Sequence, residues 1–126
     1  MTMNVLDMFY EFRKRFEEVT QKADREHIFC WGELDPEYAY SWFESVAKAI
    51  NIDMMCDVEA TQYLDVFEYF EKKCINGNHE IRGCIDASFS ENLFWQVPRE
   101  KAHSYWAVLP NLLKDFYVGF HNCKPV

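Results

Sequence analysis

Tyr63-Leu64-Asp65-Val66-Phe67-Glu68-Tyr69-Phe70-Glu71, followed by Ile75-Asn76-Gly77-Asn78-His79-Glu80-Ile81-Arg82, is the stretch that decides the fold. In its first part Tyr63, Val66, Phe67, Phe70 and Cys74 recur at three- and four-residue steps. That spacing gathers side chains on one face of an α-helix. Asp65, Glu68, Tyr69 and Lys72 fall on the opposite face. Asp57 can cap this helix, predicted over 58–75, and Gly77 supplies a left-handed stop. Asn78 then caps a second helix, predicted from 79 to about 95, with Ile81, Ile85, Ser88 and Phe89 inward. So short a connection makes the two antiparallel neighbours. Residues 58–95 read as one helical hairpin.

The same periodicity extends in both directions. Leu6, Phe9, Phe12, Phe16 and Val19 predict a helix over about 3–22, and a loop follows through Trp31, Gly32 and Glu33. Asp35-Pro36 is an N-cap followed by a proline suited to the first helical position, opening a helix over 36–50. Beyond Val97-Pro98, further helices are predicted over 99–109 and 110–119, where Pro110 either kinks one helix or starts another. No apolar/polar alternation of strand type persists. The expected architecture is all-α, one domain over 1–126 with five helices, or six if Pro110 opens its own. Phe12, Phe16, Phe43, Phe67, Phe70, Phe89, Leu112 and Phe116 are its expected core.

Composition narrows the function classes. The chain has 126 residues, 22 of them aromatic, and a net charge of −8. Such an acidic balance argues against autonomous binding to nucleic acid or an anionic membrane. All of the net charge lies in residues 33–71, where ten acids face Lys48 alone. No uncharged stretch approaches the ~20 residues that a spanning helix needs. Five cysteines without a CxxC pair and an N-terminus without a basic leader fit a cytoplasmic protein.

Catalytic patterns are weak. The four glycines are scattered, so no phosphate-binding loop forms, and no serine has the flanking glycines of a nucleophile elbow. Cys74 and Cys84 sit at core-like helical positions rather than in an activating environment. Glu100 and His103 make a Glu-x-x-His step, but a carboxylate-bridged metal site needs a second step and two more glutamates. Asp24 and His27 have that spacing with the wrong acid, and His121 and Cys123 fall short of four zinc ligands. The sequence therefore predicts no catalytic residues, no metal and no cofactor.

The hairpin quoted above, continued through Ile85 and Ser88-Phe89-Ser90-Glu91-Asn92-Leu93, resembles the acidic helical immunity proteins of bacterial contact-dependent growth inhibition and related polymorphic-toxin systems. The resemblance covers residues 63–93. It implies a cytoplasmic, non-enzymatic protein that binds and blocks the C-terminal domain of one cognate toxin, commonly a nuclease. Nucleases hold phosphate in basic clefts, which a concentrated acidic surface can occupy. The expected partner surface comprises Trp31, Glu33, Asp35, Glu37, Tyr38 and Glu44, the connecting Asp53 and Asp57, and Asp65, Glu68 and Tyr69. This surface requires helices 36–50 and 58–75 to lie side by side. The alternative is a helical adaptor or scaffold for a basic partner that is not a toxin.

Overall fold

In the computed structural model, which describes residues 3–126, helix α1 (Val5–Arg15) begins with a reciprocal cap. The Asn4 side chain accepts from the Asp7 N–H at 2.8 Å, and the Asp7 carboxylate accepts from the Asn4 N–H at 3.0 Å. Two donors left free at a helix start are thereby satisfied. The single N-terminal helix expected over 3–22 is in fact two. At Phe16 the backbone departs to φ −121°, ψ 69°, and α2 (Glu17–Trp31) starts in a new direction. The apolar steps run through this break, so periodicity does not reveal it. Tertiary contacts hold it: Arg13 of α1 grips both carboxylate oxygens of Asp24 in α2, at 2.6 and 2.8 Å. Trp42 Nε1 donates to the same carboxylate at 2.9 Å.

Gly32 ends α2 in the left-handed conformation, φ 85°, where glycine meets no Cβ penalty. Asp35 then caps as its sequence context predicts, accepting from the Glu37 N–H at 3.0 Å, and Pro36–Tyr38 forms a 3-10 turn ahead of α3 (Ala39–Met55). Helix α3 buries Trp42, Phe43, Val46, Ala47, Ala49, Ile50 and Met54. A helix apolar on so many sides belongs in the centre of a domain.

A second 3-10 turn, Ala60–Tyr63, leads into α4 (Leu64–Asn76). Asp57 is not its cap: it adopts φ 60° and pairs with Lys101 Nζ at 2.6 Å. Gly77 ends α4, but in an extended rather than left-handed conformation, φ −89° and ψ 170°. Glycine is needed there because a Cβ would lie 2.2 Å from the Lys73 carbonyl oxygen. Asn78 caps α5 (His79–Cys84) as expected, accepting from the Ile81 N–H at 3.0 Å. The long helix expected from 79 to 95 does not persist. It widens into a π-helical turn, Ile85–Ser90, and then breaks into tight turns up to Gln96. Pro98 precedes α6 (Arg99–Val108) and Pro110 precedes α7 (Asn111–His121), so Pro110 opens its own helix. The described residues form seven α-helices and no strand.

One apolar core runs from Val5 to Tyr117. Phe12, Phe43, Phe67, Phe70 and Phe89 are buried in it as expected, whereas Phe16, Leu112 and Phe116 pack only along its edge. Phe12 is the hub. Its ring centroid lies 4.8 to 5.8 Å from those of Phe16, Trp42, Phe43, Tyr69 and Phe70. Each such pair contributes ~0.5–1.5 kcal/mol beyond its buried area. Among the described residues no helix is long and apolar enough to cross a membrane.

Candidate functional site

The predicted surface residues separate into three groups. Trp31 ends α2, and Glu33, Asp35, Glu37 and Tyr38 lie on its connection to α3, which Gly32 and the Asp35 cap hold in shape. Trp31 is 56% and Tyr38 59% exposed. Together with Glu33 and the buried His27 they line a cavity of about 280 Å³. Glu33, Asp35 and Glu37 enter no ion pair among the described residues. Three unneutralised carboxylates and two exposed aromatic rings thus share one short segment.

The second group lies at the surface, with Glu44 half-buried and Asp57, Asp65 and Glu68 exposed, but loses much of its field. Glu44 pairs with Lys48 at 3.3 Å, Asp57 with Lys101 at 2.6 Å and Glu68 with Lys72 at 2.7 Å. Lys72 and its hydrogen bond hold the Glu68 carboxyl below the usual carboxylate range. Asp65 is exposed and unpaired. The assumed side-by-side packing of helices 36–50 and 58–75 is also absent. Helix α3 lies closest to α2 and to the π-helical turn, and α4 reaches it chiefly through Phe70, whose ring is 5.9 Å from Phe43. A chain reversal at Gly32 lays α2 back along α3 and takes the place that sequence adjacency assigned to α4.

The third group is internal, and its assignment to the surface is corrected. Tyr69 is 2% exposed: its ring packs on Phe12 and Phe16, and its hydroxyl donates to Glu11 at 2.7 Å. The helical wheel placed it outward because Phe67 and Phe70 claim the inner face, but α1 covers the flank as well. Asp53 is also buried, accepting from Lys22 Nζ at 2.7 Å and from the Tyr63 hydroxyl. It ties α2, α3 and the second 3-10 turn together. Burial and the adjacent carboxylates push both phenols far above the ordinary tyrosine range, so both remain donors.

A groove that the sequence did not announce lies on the other flank of α2. Glu26, Cys30, Lys48, Asn51, Ile52, Met55 and the 95–97 segment enclose about 400 Å³ there. Trp95 stands at its wall, 61% exposed, between two residues with positive φ, Phe94 at 69° and Gln96 at 56°. Neither is a glycine, so the turn is strained. Asn51 holds it: the amide nitrogen donates to the Asn92 carbonyl at 2.9 Å, and the amide oxygen accepts from the Phe94 N–H at 2.7 Å. Phe94 itself is buried against Trp106 and Tyr117. The only signal in the sequence is a tryptophan three residues before Pro98.

Burial raises the Cys74 and Cys84 thiols to about 12, which disfavours the thiolate that a nucleophile or metal ligand requires. Among the described residues no group of three or more His, Cys, Asp and Glu side chains converges. His27 is held below its ordinary value, chiefly by burial. Its Nδ1 meets Ser45 Oγ at 2.9 Å. Residues 9–122 match the family described as "Domain of unknown function (DUF7674)", and the chain belongs to that family. No curated protein and no solved structure matches it.

Proposed function

We propose that this member of the family is a non-enzymatic immunity protein that binds and neutralises the basic C-terminal domain of a cognate toxin, a nuclease, in the cytoplasm. The observation that carries the reading is the α2–α3 connection, where Glu33, Asp35 and Glu37 remain unpaired beside exposed Trp31 and Tyr38. Unpaired carboxylates steer a basic partner and sharpen salt dependence, while large rings at the centre of a contact slow its dissociation. Gly32 and the Asp35 cap fix the backbone of this connection, so less ordering entropy is lost on binding. Inhibition by occlusion needs neither a cofactor nor direct contact with nucleic acid.

The test is co-expression with the product of the gene immediately upstream, followed by capture of the complex. Glu33→Lys and Glu37→Lys are combined with Asp35→Asn, which keeps the cap acceptor. This variant is expected to bind at least 10-fold more weakly at low salt while its circular dichroism is unchanged. Unchanged affinity and salt dependence would remove the α2–α3 connection from the interface. A second reading, an adaptor for a basic protein that is not a toxin, is favoured by the groove beside Trp95, because an apolar wall of Ile52, Met55 and Trp95 suits a docked segment. Capture of the upstream product with no protection of toxin-expressing cells would favour that reading.

A further inference from the structure

We propose that the cavity lined by His27, Trp31, Glu33 and Tyr38 is a socket for one arginine side chain of the protein partner. The proposal rests on the reading above that the partner is basic. Its chemistry comes from four side chains. Trp31 and Tyr38 present half-exposed rings, and among the described residues Glu33 is the only carboxylate lining the cavity. His27 is almost fully buried, and its ring stacks on Trp31 with centroids 6.0 Å apart and planes inclined by 24°. Ser45 Oγ meets His27 Nδ1 at 2.9 Å and fixes the ring in this position.

A guanidinium fits this set better than an ammonium. It is planar, stacks on aromatic faces and directs paired N–H groups onto one carboxylate. A lysine ammonium is a compact, strongly hydrated charge that gains less from stacking. An anionic occupant would meet Glu33, with Asp35 and Glu37 on the same segment. At neutral pH the floor of the socket is uncharged, since burial disfavours the imidazolium. Asp24 and Glu44 favour its protonation and Lys48 opposes it. Glu33 lines the same cavity. Protonation of His27 places a cation beneath the occupant, so arginine binding weakens as pH falls through the lowered His27 value.

The experiment titrates the isotopically labelled full chain with N-acetyl-arginine amide and follows the Trp31 indole N–H by nuclear magnetic resonance. A saturable shift in the millimolar range is expected. N-acetyl-lysine amide, and the Glu33→Gln variant titrated with the arginine amide, should each bind at least 5-fold more weakly. No saturable shift at Trp31, equal binding of the lysine amide, or full binding by Glu33→Gln would each overturn the socket. Capture of the upstream gene product by the same full chain keeps the two claims apart. Capture with a silent arginine titration sinks the socket alone, whereas an arginine response without capture sinks the proposed partner.

Discussion

Replacing Asn51 by leucine should leave two backbone groups of the strained 92–96 turn without their partner on α3 and lower stability by ~1–4 kcal/mol. Asn51 makes two hydrogen bonds to this turn, donating to the Asn92 carbonyl at 2.9 Å and accepting from the Phe94 N–H at 2.7 Å. Backbone groups on both sides leave no ambiguity about which end of the amide is which, since only nitrogen can face a carbonyl. Leucine preserves the approximate volume and satisfies neither group. Orphaning a buried backbone group costs ~1–3 kcal/mol; the Phe94 N–H is buried, whereas the partly buried Asn92 carbonyl costs less to leave unpaired. Relief of strain at Phe94 and Gln96, ~1–3 kcal/mol each, offsets part of this only if the turn lets go of the core. Against a total of ~5–15 kcal/mol the loss is large.

The measurement is urea unfolding followed by circular dichroism, comparing midpoints at unchanged slope. Asn51→Asp sharpens the test. It keeps the acceptor for Phe94 but aims a carboxylate oxygen at the Asn92 carbonyl. In the folded state its carboxyl is therefore held above the ordinary aspartate value. Its stability should recover as pH falls through that raised value, when the protonated carboxyl can donate again. A leucine variant within ~0.5 kcal/mol of the parent would refute the assignment of Asn51 as the clamp.

Tyr63→Phe should cost ~1.5–3 kcal/mol, because it strips one of two partners from the buried Asp53 carboxylate; Tyr69→Phe should cost less, ~0.5–1.5 kcal/mol, since the Glu11 carboxylate, 41% exposed, can turn to water. Equal losses in thermal unfolding would contradict that order. Gly77→Ala should destabilise by more than ~1 kcal/mol in urea unfolding, because its Cβ meets backbone 2.2 Å away and the α4–α5 connection must shift; a neutral result would mean the connection is slack. His27 is held below its ordinary 6.5, so its contribution to stability is complete above pH 6.5 and declines as pH falls through the lower folded value. Midpoints recorded from pH 7.5 to 5 should decline less steeply for His27→Gln than for the parent, and parallel curves would count against a buried neutral imidazole.

The amino-acid sequence by itself determined the helical class, because three- and four-residue apolar steps are a local property of the chain. It also determined the caps at Asp35 and Asn78, since each depends on a side chain within a few residues of the turn; the left-handed stop it assigned to Gly77 falls instead at Gly32. The acidic bias of residues 33–71 was equally legible. The pairs Glu44–Lys48 and Glu68–Lys72 are local i,i+4 neighbours, but only tertiary structure decided the partners of Asp53 and Asp57. Lys101 is 44 positions from Asp57 and Lys22 is 31 from Asp53, and no local pattern encodes such a meeting. Only packing breaks the helix at Phe16, because the apolar steps continue through it while Arg13 and Asp24 close across it. The covered flank of Tyr69 and the positive φ of Phe94 and Gln96 have the same origin. A helical wheel knows one buried face, whereas α4 meets α1 on its flank; a turn propensity knows its own residues, whereas this turn is held open by an asparagine on another helix.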